Sequence, residues 1–189
     1  CYRKSFEVKK EIGDIHGLAI SCANLGLILY HKGDYPQALH HLEEAMRLSR
    51  DIECEWLLPE PYRIMAEVHL ALGDGAKALE YGKASLEMAK EAGNRVFEGA
   101  AHRVLGKIMA LKQGRWGEGK KHLARSIEIF EELHDEHELG ESYYEYGLLL
   151  KEEGDVDKAK DCLSQAMAIF ERTGAAGRLK EAESVYRQL

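Results

Sequence analysis

LGLILYHKGDYPQALHHLEEA, residues 25–45, decides the fold, because its spacing of small and apolar residues returns three times downstream. Leu25-Gly26, Gly33-Asp34, Ala38, Leu42 and Ala45 carry the spacing. Aligning Gly26 with Ala66, Gly106 and Gly147 gives offsets of 40, 40 and 41 residues. The fourth copy is the cleanest: Tyr146-Gly147, Leu150, Gly154-Asp155, Ala159, Leu163, Ala166. Gly26 and Ala38 carry almost no side chain, so two helices can approach nearer than the usual ~8–10 Å, with Leu25, Leu29 and Leu42 filling the flanks. Gly33-Asp34, Gly73-Asp74 and Gly154-Asp155 supply the turns, the glycine taking a left-handed conformation and the aspartate capping the next helix.

Working outward, the first complete hairpin is expected over 16–31 and 35–52, with Pro36 tolerated in an opening turn whose amides lack helical partners. Pro59 and Pro61 place the start of the next helix between 57 and 59, running to 72, and its partner spans 76–92. The stretch from Gly106 to Gly114 is one residue longer than that from Gly26 to Gly33, which accounts for the offset of 41. Its turn lacks the aspartate, and Trp116 fills the gap. Helices follow over 116–133, 136–153 and 156–173. Residues 178–189 put Leu179, Ala182, Val185, Tyr186 and Leu189 on one face, and Arg187 stands where Gly147 stood, as a capping helix with a wet outer face requires. Residues 2–12 fall in register with 42–52, so they read as the second helix of an earlier repeat, and the chain as a piece of a longer protein. The expected architecture is all-α, a solenoid of four hairpins within a single repeat domain, 1–189. It divides as half repeat 1–14, repeats 15–54, 55–94, 95–135 and 136–174, and cap 175–189.

This pattern resembles the tetratricopeptide repeat, in which a small residue at the eighth position of the first helix meets small residues at the twentieth and twenty-seventh, on the second. The 40-residue period is similar to the long repeats of Pins-type adaptors, Rap-type regulators and the repeat arms of bacterial signalling ATPases and cyclases. The resemblance implies an α-α superhelix whose first helices line a concave face, with positions 2, 5, 6, 9 and 12 looking into the groove. Those are Ile20, Ala23, Asn24, Leu27 and Tyr30 in the first repeat, and Glu60, Arg63, Ile64, Glu67 and Leu70 in the second. In the third they are Ala100, Arg103, Val104, Lys107 and Ala110, and in the fourth Glu141, Tyr144, Glu145, Leu148 and Lys151. The family's chaperone-binding carboxylate clamp is a poor match, since its Lys and Asn fall at Ala23 and Leu27.

Of these, Asn24, Tyr30, Arg63, Glu67, Arg103, Lys107, Tyr144 and Glu145 are the candidate binding residues. One end of the groove is apolar. Arg63, Arg103 and Lys107 either clamp an acidic side chain or C-terminal carboxylate of a partner through charge-assisted bonds, or are neutralised by Glu67.

The 189 residues are 45% apolar and 31% charged, enough for a substantial core and rich in helix formers. A net charge of -7 opposes a nucleic-acid groove, which is built from clustered Lys and Arg. No apolar run approaches the ~20 residues that span a bilayer. Cys1, Cys22, Cys54 and Cys162 show no metal-ligand spacing and no disulfide framework, consistent with reduced thiols in a cytoplasm. Cys1 could also be read as the first residue of a lipoprotein, but its neighbours belong to the repeat.

Gly114-Arg-Trp-Gly-Glu-Gly119-Lys120 approaches a phosphate-binding loop, yet Lys121 stands where Ser or Thr would hold magnesium, and a helix precedes it where a strand should. His134 and His137 lie three apart in a loop with no third metal ligand evident. No nucleophile elbow or HExxH helix occurs. The expectation is therefore no catalysis, no cofactor and no metal. The chain is read as an interaction scaffold holding a protein or peptide segment, or alternatively as the regulatory or sensor arm of a larger bacterial signalling protein. The raw N-terminal edge, with Tyr2, Phe6 and Val8, is a candidate surface for self-association.

Overall fold

Each α-helix before the last gives way to a residue in the left-handed conformation, and where the next residue is Asp or Asn its side chain caps the following helix. The structure, a computed structural model, describes Lys9 and residues 13–189, without the side chains of 112 and 113. Gly33, Gly73 and Gly154 have φ of 77°, 85° and 91°, a conformation that a Cβ would penalise. The carboxylates of Asp34, Asp74 and Asp155 then accept from the amides of Gln37, Lys77 and Lys158 at 3.3, 3.1 and 3.4 Å. Glu53 and His134 take the same left-handed turn at φ of 54° and 53° without being glycine. Nothing in those two side chains announces the conformation, which for such residues costs ~1–2 kcal/mol.

The chain divides into two compact units, Cys1–Phe97 and Glu98–Leu189. The described residues contain helices and no strand, and no helix among them is long and apolar enough to cross a membrane. In the first unit α1 (Ile15–His31) packs on α2 (Tyr35–Asp51), and α3 (Pro59–Ala71) on α4 (Gly75–Glu91). A Cβ placed on Gly26 would lie 2.6 Å from Leu42 Cγ, so the α1–α2 approach depends on that glycine. Ala66, with no exposed surface, occupies the same place in the second hairpin. Ser85 stands where Ala45 stood and donates its buried hydroxyl to the Pro59 carbonyl at 2.8 Å. The core between α2 and α3 is built on Leu42, Met46, Leu58, Ile64, Met65 and Val68.

The prolines resolve the start of α3. A short 3-10 turn, Glu55–Leu57, precedes it, and Pro59 and Pro61 both sit in its first turn, where missing amides cost nothing. Leu72, expected as the last residue of this helix, is its C-terminal cap. The helix expected over 2–12 lies outside the described residues, except for Lys9. Its ammonium donates to the Gly17 carbonyl and the Ser21 hydroxyl, both at 3.1 Å.

The second unit holds most of α5 (Arg95–Gln113), then α6 (Trp116–Glu132), α7 (Glu136–Glu153), α8 (Val156–Arg172) and α9 (Ala176–Tyr186). A Cβ on Gly106 would meet Leu123 Cγ at 2.6 Å, and one on Gly147 would meet Leu163 Cγ at 2.7 Å. A second tight position per hairpin escapes the sequence reading. Gly99 faces Phe130 at 2.7 Å, and Gly140 faces Ile169 and Phe170 at 2.9 Å, again measured from an added Cβ. As its missing aspartate implies, α6 has Arg115 at the cap position with no side-chain cap bond, and half-buried Trp116 packs with Ala110, Leu123 and Leu149. The last helix begins at Ala176, two residues before the expected 178, again without a side-chain cap. Its Ala182 is buried against Tyr144, Leu163, Ala166 and Phe170, with Leu179 and Val185 at the edge.

Candidate functional site

Helix α1 brings Ile20, Ala23 and Asn24 to one face, because the three lie within about one helical turn. In the first unit these side chains, with Glu60 and Pro61 of α3, line a cavity of about 320 Å³. Trp56 from the 3-10 turn and Phe97 complete its apolar wall. The Trp56 side lies open, with half of that residue exposed and its ring centroid 5.4 Å from that of His16. Asn24 offers an amide donor and acceptor at the wall, so the cavity combines an apolar floor with a few polar groups, the usual make-up of a recognition pocket.

Arg63 is brought near this cavity but is not open to it. Its guanidinium donates to both carboxylate oxygens of Glu60, at 2.9 and 2.6 Å, and lies 3.1 Å from Glu67, with a side chain only 10% exposed. Tyr30 stands apart from the cavity. It packs beside the Ala38 and Leu42 core, with its ring centroid 6.3 Å from that of Tyr35.

The corresponding face of the second unit is a series of ion pairs between successive first helices. Arg103 of α5 donates to the Glu138 carboxylate at 2.6 Å and the Glu138 carbonyl at 3.1 Å, and its guanidinium sits 5.8 Å from the centre of the Phe130 ring. Lys107 donates to Glu145 of α7 at 2.8 Å. Arg178 of α9 is bonded to Glu141 and Glu181 and lies over the Tyr144 ring at 4.3 Å. Burial opposes the Arg178 charge, but the two carboxylates outweigh it and hold its proton more tightly than usual. Tyr144 is itself 8% exposed, and burial pushes its phenol up.

Each of the three cations read from the sequence as a basic patch thus meets at least one carboxylate. Glu67 meets Arg63, Glu138 meets Arg103 and Glu145 meets Lys107. Glu138 and Arg178 were invisible to the groove rule because they lie outside its five positions. Trp56 and Phe97 were missed because Trp56 lies in the link between hairpins and Phe97 precedes the first groove position of its helix. An exposed aromatic in a linker was the one available signal.

Family models of the tetratricopeptide repeat match residues 19–52, 59–80 and 108–172. The fold is similar to that of BtubC (BKLC) from P. vanneervenii, at TM-score 0.73 and 19% identity over 99% of this chain and 86% of that one. Aspartyl phosphate phosphatase F from Bacillus subtilis matches at TM-score 0.73 and 19% identity, over 87% of this chain and 43% of its own. A STAND-type signal transduction ATPase from Pyrococcus horikoshii, described as having a tetratricopeptide repeat sensor, matches at TM-score 0.70 and 16% identity. That match takes in 96% of this chain and 28% of the ATPase. No curated protein matches the chain. The hairpins built on Gly26, Ala66, Gly106 and Gly147, together with the matches to three family models, establish that the chain belongs to the tetratricopeptide repeat family.

Proposed function

We propose that this chain is a non-catalytic scaffold that binds a protein segment on the face of its first helices, and that the segment anchors an apolar side chain in the cavity at Ile20, Ala23 and Asn24. The observation that carries the reading is the cavity itself, apolar-walled and open beside Trp56. Burying an apolar side chain there is worth ~1.5–3 kcal/mol, and the Asn24 amide can pair with the segment's backbone. Glu67 and Tyr30, which do not line the cavity, are proposed to meet the segment beyond its anchored side chain.

In the second unit the groove residues Arg103, Lys107, Tyr144 and Glu145 are proposed to offer a shaped polar wall. A partner with an acidic group or a C-terminal carboxylate binds there only by displacing Glu138 or Glu145 from its cation, which weakens that contact against the apolar one. A second reading is a sensor or regulatory arm within a larger signalling protein. It is supported by the likeness to the STAND ATPase, whose description includes such a sensor.

The test is selection from a displayed peptide library on wild-type protein, followed by affinity measurements with Ile20→Lys, which puts a charge in the cavity. The expected result is enrichment of peptides with a large apolar residue that bind wild type and lose at least tenfold in affinity to the variant, about 1.4 kcal/mol. Equal affinity for both proteins, with both folded, would contradict the assignment.

A further inference from the structure

Two positions recur in every hairpin, one four residues before the small residue of the first helix and one three residues after the small residue of the second, and in the second and third hairpins their side chains face each other. They hold Cys22 and His41, Tyr62 and Tyr81, His102 and His122, and Tyr143 and Cys162. In the second hairpin the facing rings lie 5.6 Å apart, centroid to centroid. The third places two imidazoles there, on α5 and α6, with their Nδ1 atoms 2.8 Å apart, ring centroids at 4.9 Å and planes inclined by 41°. His102 is 9% exposed, while His122 is half-buried, so the pair is reached from the His122 side.

From this juxtaposition we infer that His102 and His122 form a two-imidazole site for a square-planar divalent transition metal, copper(II). Affinity selects the ion: among divalent first-row metals copper(II) binds imidazole nitrogen most tightly, and its tetragonal geometry takes two cis nitrogens while water fills the remaining positions. In the metal-free pair one Nδ1 donates its hydrogen to the other. On binding, that imidazole moves its proton to Nε2 by exchange with water, both Nδ1 lone pairs turn to the ion, and two waters leave copper(II). From the neutral pair no net proton is released. At lower pH protons compete with the ion, so affinity falls as the imidazoles charge. The bound ion would fasten α5 to α6 in the hairpin whose turn lacks a side-chain cap at Arg115.

The experiment adds copper(II) sulfate to the 189-residue chain and follows it by electron paramagnetic resonance and by calorimetry. His102→Gln, His122→Gln and, as a control, His40→Gln, which disturbs the adjacent His40-His41 pair, are compared with wild type. The expected result is a tightest class of one ion per chain with two-nitrogen coupling, lost in the first two variants and kept in the control. Circular dichroism reports whether the variants fold. Independently of any substitution, the imidazole resonances of His102 and His122 in wild type should broaden first as substoichiometric copper(II) is added. The same tightest binding in wild type and both folded variants, or first broadening at other histidines, would overturn the inference.

Discussion

Gly147 separates a correct register from a plausible wrong one. An added Cβ there stands 2.7 Å from Leu163 Cγ and 3.0 Å from its Cδ2, both in a fully buried side chain, so Gly147→Leu should cost ~1–3 kcal/mol by overpacking. Lys151→Leu, one turn along and half-exposed, should change stability by less than about 0.5 kcal/mol. Denaturant unfolding of the two variants checks this, and equal midpoints would refute the packing. Buried thiols supply a second observable. Burial, then the charge of Glu44, pushes the Cys22 thiol up from 9.0 to about 11, and burial does the same to Cys162. A folded pKa above the unfolded one favours the native state fully below the unfolded value and loses that contribution as pH rises through the folded one. Stability should therefore decline from about pH 9 to about pH 11, and Cys22→Ala should flatten that alkaline limb. An unchanged limb in the variant would assign the decline to other groups.

At the scale of helices and turns, most of the fold was legible because backbone conformation and capping chemistry impose residue types. Gly33-Asp34, Gly73-Asp74 and Gly154-Asp155 marked stops and starts to within a residue or two. Where no residue type is required, the sequence was silent. Glu53 and His134 turn left-handed without a glycine, and α9 starts without a capping side chain. The candidate site was read as positions on first helices that the resemblance to the repeat family supplied, and of those Ile20, Ala23, Asn24 and Glu60 line the cavity. Glu138 was not among them, and which carboxylate meets which cation was not legible, because the stagger of neighbouring helices sets which residues meet. Lys107 reaches Glu145 across 38 residues, and Arg103 reaches Glu138 across 35. That pairing changes what Arg103→Glu should do. With side chains 11% and 26% exposed, facing carboxylates would destabilise the α5–α7 contact by about 2 kcal/mol or more, in addition to any effect on a partner. The double variant Arg103→Glu, Glu138→Arg should recover part of the loss in thermal unfolding. No recovery would mean the pair is incidental.

For the molecule as a whole, a net charge of -7 and the pairing of Arg63, Arg103 and Lys107 with carboxylates favour the proposed recognition by shape and apolar contact. Raising salt should then weaken binding only slightly, since little exposed charge is left to screen. A steep fall in affinity with salt would restore the basic patch as the main anchor. The central claim, that a partner segment docks in the cavity walled by Ile20, Ala23 and Trp56, is tested most directly by the emission of Trp56 itself. In the single-tryptophan variant Trp116→Phe, Trp56 is half exposed at the cavity wall, so a segment seated there must take its ring out of water. Titration with a selected peptide should shift its emission to shorter wavelength and shield it from a soluble quencher, with the same midpoint as binding measured by calorimetry. Saturable binding that leaves the emission and quenching of Trp56 unchanged would place the partner elsewhere and contradict the account.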